Sequence, residues 1–113
     1  MRLPLILAAS LALSVPAAAQ VPAYPASFST QKIATNGVTI HVRVGGKGPA
    51  VVLIHGYGET GDMWSPMAAD LMRDHTVVVP DLRGLGLSSK PAGGFDKKTQ
   101  ADDIAGVLDK LGI

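Results

Sequence analysis

The apolar residues follow three different patterns along the chain. Val38, Ile40, Val42 and Val44 alternate with Thr39, His41 and Arg43, the period of two that gives a strand one apolar and one polar face. His41, on the polar face, reads as a surface or strand-pairing residue rather than a ligand. Further on the alternation gives way to continuous runs, Val51-Val52-Leu53-Ile54 and Val77-Val78-Val79. Such runs predict strands buried on both faces, as in a parallel sheet. Ala101, Ile104, Ala105, Leu108 and Leu111 then recur at helical spacing, which predicts a last helix over residues 99–111. Lys110 suits its C-terminal end and Gly112 its stop.

The residues between these patterns say how the elements connect. Asn36-Gly37 separates residues 31–35 from 38–44, the strongest short-range signal for a hairpin. Gly45 to Pro49 is a turn into the Val51–Ile54 strand. Its Lys47 invites a phosphate-loop reading, but such a loop opens a helix, and this one leads through Gly48-Pro49 into a strand. Ser65 and Pro66 suit a helix N-cap and first helical position, with Met67, Leu71 and Met72 on the apolar side of a helix ending near Arg73-Asp74. A strand over residues 76–80 and a glycine-rich loop over 81–89 follow. The order is hairpin, then strand, helix, strand, helix, an α/β architecture whose mixed sheet becomes parallel.

Composition changes the picture mainly at the start. Met1-Arg2, an apolar run from Leu3 to Val15, and Ala17-Ala18-Ala19 have the layout of a secretory signal peptide over residues 1–19, cleaved after Ala19. Pro4, Ser10, Ser14 and Pro16 interrupt a run already short of the roughly 20 residues a spanning helix needs, so no stable membrane anchor is expected. Residues 20–30, with Pro22 and Pro25 among Ala and Ser, read as an extended, weakly ordered lead-in without chemistry. Residues 31–113 form the domain. Lys and Arg total 10 and Asp and Glu 9, and loss of Arg2 with the leader balances them. Nothing electrostatic therefore points to nucleic acid or an anionic membrane. The absence of cysteine excludes disulfides and thiolate metal sites, and export without disulfides suits a bacterial periplasm or secretion.

The loop after Ile54 supports two readings. Gly56-x-Gly58-x-x-Gly61 follows an apolar strand, and Asp81 stands 20 residues after Gly61, which matches the dinucleotide fingerprint in letters and spacing. That mechanism needs the glycines to open a helix onto a pyrophosphate, whereas the expected cap, Ser65-Pro66, comes later. A hairpin also precedes the strand. The second reading is an oxyanion loop. Displacement chemistry needs backbone N–H donors aimed at developing negative charge, and a strand-to-helix loop holds them rigidly. Gly56 and Gly58 let the chain turn sharply and approach a substrate, with the N–H of Tyr57 as donor.

Gly37-Val38-x-Ile40-His41, Gly46-x-Gly48-Pro49, His55-Gly56-Tyr57, Met63-Trp64, Pro80-Asp81-Leu82-Arg83-Gly84-x-Gly86-x-Ser88 and the run from Asp103-Ile104 to Leu111-Gly112 occur in that order. Together they resemble the N-terminal part of the α/β-hydrolase fold, in its epoxide hydrolase and haloalkanoate dehalogenase branch, over about residues 33–113. The resemblance implies an incomplete α/β-hydrolase sheet, an antiparallel hairpin leading into parallel strands with helices. It implies an oxyanion loop of His55, Gly56 and Tyr57, with the second donor following the nucleophile. Gly58-Glu59 stands where many members of this branch place a proline. Met63 and Trp64 are candidates for lining the substrate pocket, or equally for packing the helix start. Asp81, Arg83, Gly84, Gly86 and Ser88 form a structural loop, in which Asp81 hydrogen-bonds the glycine-rich turn rather than acting as an acid, and Arg83 is a solvated charge or pairs with a carboxylate, Asp81 or one outside these residues.

The catalytic triad is absent from these residues. No Gly-x-Ser-x-Gly or Gly-x-Asp-x-Gly elbow occurs, and the family's acid, histidine, cap and C-terminal half all follow later. His41, His55 and His75 share no face and no metal spacing, so neither metal nor cofactor is expected. His75 belongs to the turn before residues 76–80, and Asp102-Asp103 favours the dipole of the last helix. The expectation is an N-terminal fragment of an exported hydrolase of small molecules, inactive and aggregation-prone alone. Its parent would hydrolyse an epoxide or carbon–halogen bond through an Asp nucleophile, or an ester through a Ser. A dinucleotide-binding oxidoreductase and a non-catalytic binding protein are the remaining alternatives.

Overall fold

The computed structural model describes residues 22–113 and Ser14. The rest of the leader, its cleavage point after Ala19 and the first residues of the lead-in lie outside the described residues. Strands β1 (Ser29–Thr35) and β2 (Val38–Gly46) form an antiparallel hairpin in which Thr35 faces Val38. At its tip Asn36 and Gly37 have φ of 49° and 77°, the two left-handed residues of a type I′ turn. Strand β3 (Ala50–Val52) leads through a loop into a 3-10 turn (Gly61–Trp64), helix α1 (Ser65–Leu71) and strand β4 (Thr76–Pro80). Helix α2 (Lys97–Leu111) follows β4. The sheet order is β1-β2-β4-β3, with β4 antiparallel to β2 and parallel to β3.

Both faces of the sheet are covered, and the period of two decides which residue goes where. On one face Ile33, Val38, Ile40, Val42 and Val78 pack with Val107 of α2, supported by Leu108 and Leu111. On the other, Val77, Val79 and Leu53 pack with Ala68 of α1. Val78 thus faces one helix while its neighbours face the other, so β4 has no polar position to spare. Each such valine contributes about 1.5–3 kcal/mol by leaving water.

Several expectations need correction. The Val51–Ile54 run does not form a strand buried on both faces. β3 is three residues long and stands at the sheet edge, Val51 and Val52 are half-buried, and Ile54 is 49% exposed. It pairs with β4 on one side, and no described residue pairs with it on the other. His41 and Arg43 are buried rather than solvated, because the loop after β4 and the lead-in cover the polar face of β2. Helical structure begins four residues before the expected cap. Thr60 accepts from the Asp62 N–H and caps the 3-10 turn, while Ser65 is buried and its hydroxyl has no partner. Ala68, rather than half-exposed Met67, carries the apolar contact of α1. Helix α2 starts at Lys97, capped by Asp96 through the Thr99 N–H, and ends at Gly112 with φ 72°. Val107 is in its buried stripe, while Ala101 and Ala105 are exposed. The lead-in is anchored from Tyr24 onward. Tyr24 and Phe28 meet edge to face at 5.1 Å and join the α1-side core.

Candidate functional site

The loops that leave β3 and β4 lie side by side at one end of the sheet. Leu53 continues the β3 ladder through its N–H to the Val78 carbonyl (2.9 Å), and Ile54 then turns outward. His55 turns back in and is buried. Its Nε2 accepts the Leu82 N–H at 2.9 Å, so Nδ1 carries the proton and donates it to the Gly56 carbonyl at 2.8 Å. With both ring nitrogens occupied, the imidazole straps the two loops together and has no free atom for a reaction. The next residues leave the core. Tyr57 is completely exposed, Gly58 adopts φ 75°, and the Glu59 N–H closes the turn on the Gly56 carbonyl at 3.3 Å.

The far end of this loop is held by Asp81. Its side chain is fully buried. Oδ1 accepts the Gly61 N–H at 2.7 Å and Arg43 Nη1 at 3.1 Å, and Oδ2 accepts the Leu87 N–H at 2.9 Å. Burial opposes its charge, but the Leu87 and Gly61 amides and Arg43 outweigh it, so the carboxyl lies below its ordinary pKa. Gly61 and Asp81 are the last glycine and the acid of the dinucleotide-like spacing, and they bond each other. Neither is left to face a pyrophosphate or a ribose. Gly86 has φ 52°, and a Cβ there would run into the Asp81 carboxylate, so the turn needs glycine twice over.

Arg43 extends the cluster to Asp62 at 2.7 Å and lies 5.3 Å from the Tyr24 ring centre. Tyr24 in turn donates its hydroxyl to the Gly61 carbonyl at 2.6 Å. Burial, then the positive charge of Arg43, pushes the nearby His41 imidazole below its ordinary pKa. Ser88 donates to the Asp81 carbonyl at 2.5 Å and accepts the His41 N–H at 2.9 Å. Its hydroxyl fastens the loop to β2.

Arg83 is not a solvated charge. It is buried and grips Asp103 with two bonds, Nε at 2.6 Å and Nη2 at 2.7 Å, while Asn36 donates to the same carboxylate at 2.9 Å. Asp103 therefore serves a buried ion pair and not chiefly the helix dipole. The pair ties the hairpin tip, the β4 loop and α2 together. Gly84 backs onto the Phe95 ring in this loop.

A cleft of ≈ 460 Å³ opens between the two loops. One wall is His55, Gly56 and Tyr57; the other includes Leu82 to Leu85, Phe95, Lys97 and Gln100. A second groove of ≈ 410 Å³ runs from Ile54 along Ile104 and Leu108 of α2. Met63 and Trp64 line neither. Trp64 packs into the α1-side core and Met63 is 42% exposed, so core packing describes Trp64. His75 bonds Asp74 beside β4, away from both clefts. Among the described residues no cluster of His, Cys, Asp or Glu could hold a metal ion, and no helix is long and apolar enough to cross a membrane. Sequence reasoning missed Tyr24, Arg43, Asp62, Asn36 and the cleft residues Leu85, Phe95, Lys97 and Gln100. Two aromatics, Tyr24 and Phe28, in a Pro/Ala/Ser stretch and an Arg opposite valines on a strand were the available signals for the first two.

Comparison with known proteins agrees with this geometry. The family model described as the alpha/beta hydrolase fold matches residues 49–113. The chain belongs to the α/β-hydrolase fold family. A soluble epoxide hydrolase from Corynebacterium sp. (strain C12) is 42% identical over 77 residues, 68% of this chain and 27% of the relative. A fluoroacetate dehalogenase from Burkholderia sp. is 45% identical over 69 residues, 61% of this chain and 23% of the relative. The crystal structure of the Cif epoxide hydrolase from Acinetobacter nosocomialis superposes with a TM-score of 0.73 at 35% identity, covering 79% of this chain and 28% of that one. The chain thus spans about a quarter of the length of these relatives. It presents the N-terminal portion of the α/β-hydrolase fold, whose members here include epoxide hydrolases and a dehalogenase acting on small molecules.

Proposed function

We propose that this chain supplies the oxyanion side of an exported hydrolase that opens an epoxide or a carbon–halogen bond. The observation that carries the reading is the His55–Gly61 loop. It is pinned to Leu82 at one end and to Asp81 at the other, while Tyr57 between the pins is completely exposed beside the cleft. The N–H of Tyr57 is the proposed donor. An Asp carboxylate from outside these 113 residues attacks carbon, the C–O or C–halogen bond breaks, and a covalent ester forms. Water then adds to the ester carbonyl, and the oxyanion that develops there is what a fixed N–H would stabilise. The epoxide hydrolases and the fluoroacetate dehalogenase among the relatives support this chemistry. Residues 1–19 are proposed to direct export to the periplasm or beyond, so N-terminal sequencing of the exported protein should begin at Gln20.

The test begins with the source DNA read through and beyond codon 113. The product of the open frame is then assayed against styrene oxide, chloroacetate and 4-nitrophenyl acetate. An elbow bearing Asp, with turnover of the first or second and transfer of oxygen from labelled water into that Asp in a single turnover, supports the reading. An elbow bearing Ser, with ester hydrolysis alone, replaces it with a Ser-dependent esterase.

A further inference from the structure

Gly61 is buried, and both of its peptide groups are held by side chains distant in sequence. Its N–H goes to Asp81 at 2.7 Å and its carbonyl takes the Tyr24 hydroxyl at 2.6 Å. Tyr24 is itself well seated, with its ring against Phe28 and 5.3 Å from the Arg43 guanidinium, and Arg43 holds the same Asp81. The cluster closes on itself: Tyr24 to Gly61, Gly61 to Asp81, Asp81 to Arg43, and Arg43 back to the face of Tyr24. Gly61 is where the 3-10 turn begins and where the exposed loop carrying Tyr57 ends. Apart from the His55 strap and the turn bond of Glu59, the described hydrogen bonds give this loop no other anchor before Thr60.

We propose that Tyr24, in the segment before the first strand, is a positioning residue that fixes the loop carrying the Tyr57 N–H. The inference rests on the reading of that N–H as an oxyanion donor. A donor stabilises developing charge best when it does not have to reorient. A buried carbonyl that loses its partner draws the peptide toward a new one, which at Gly61 turns the base of the loop. Burial pushes the Tyr24 phenol up to about 12 against the pull of Arg43, so the hydroxyl remains a donor in any ordinary assay buffer.

Tyr24→Phe in the full-length gene product removes the hydroxyl and keeps the ring. Amide exchange in residues 56–61 is expected to rise about fivefold while that of β2 and β4 stays unchanged. The kcat is expected to fall about tenfold at unchanged KM. Ile33→Val, in the α2-side core on the opposite face of the sheet, should lower the melting temperature without altering kcat. Unchanged exchange in residues 56–61 of the Tyr24→Phe protein overturns the inference whatever the activity does. Faster exchange there with unchanged kcat overturns instead the oxyanion reading of Tyr57, and with it any part for Tyr24 in catalysis.

Discussion

Asp103→Asn removes one charge from the core and changes little else in shape. In the wild type the two Asp103 oxygens, 1% exposed, receive three N–H groups, from Arg83 Nε, Arg83 Nη2 and Asn36 Nδ2 at 2.6, 2.7 and 2.9 Å. An asparagine offers one oxygen, so one arm of the guanidinium meets an NH2 group and the cation stays buried without its counter-charge. The other acceptors of Arg83, the carbonyls of Gly93 at 3.2 Å and Asn36 at 3.4 Å, are long and offset only part of the loss. Breaking one side of a buried pair costs about 3–5 kcal/mol. At roughly 2–4 °C per kcal/mol for the longer full-length protein, even the lower figure lowers its melting point by about 6–12 °C. Urea unfolding of the full-length product followed by circular dichroism measures it directly. Replacing both partners, Arg83→Met with Asp103→Leu, should recover most of the loss, because no charge is then stranded. A cost below about 1 kcal/mol for Asp103→Asn would refute the argument, and so would a double variant no more stable than the single one.

Three further outcomes follow from the same geometry. Asp81 has a folded pKa below its ordinary 3.8, so its stabilisation is complete above that value and drains away as pH falls through the folded one. Asp81→Asn should flatten the acid limb of stability below pH 3.8, measured by thermal melts, while lowering stability at neutral pH. Tyr57 is fully exposed, so Tyr57→Ala should leave stability within about 0.5 kcal/mol of wild type. Tyr57→Pro, which removes the proposed donor, should lower kcat of the full-length product about 100-fold or more with its circular dichroism unchanged; equal kcat for the two variants would exclude a role for the N–H. Ile54, half-exposed beside the open edge of β3, is expected to make the isolated chain prone to associate. Ile54→Lys should reduce light scattering at equal concentration, and unchanged scattering would place the sticky surface elsewhere.

Local chemistry was enough for much of the architecture. Asn36-Gly37 dictates a type I′ hairpin because few residues tolerate two successive left-handed conformations. Val77-Val78-Val79 dictates a strand covered on both faces, because three adjacent valines leave no side for water. Gly112 ends α2 through its left-handed φ, and the ordered string of motifs from Gly37 to Gly112 marked the α/β-hydrolase fold. Depth was not legible in the same way. Val51–Ile54 looks as buried as Val77–Val79, yet β3 lies at the sheet edge, because burial depends on what lies beyond a strand. The partners of charged groups were equally hidden. Arg83 meets Asp103, Arg43 meets Asp81, and Tyr24 reaches Gly61 across 20, 38 and 37 positions. Spacing along the chain carries no information about such meetings, which arise only when the sheet brings its loops together. Tertiary structure alone therefore decided that a proline-rich lead-in, a strand's polar face and a glycine-rich turn form one network beneath the exposed loop.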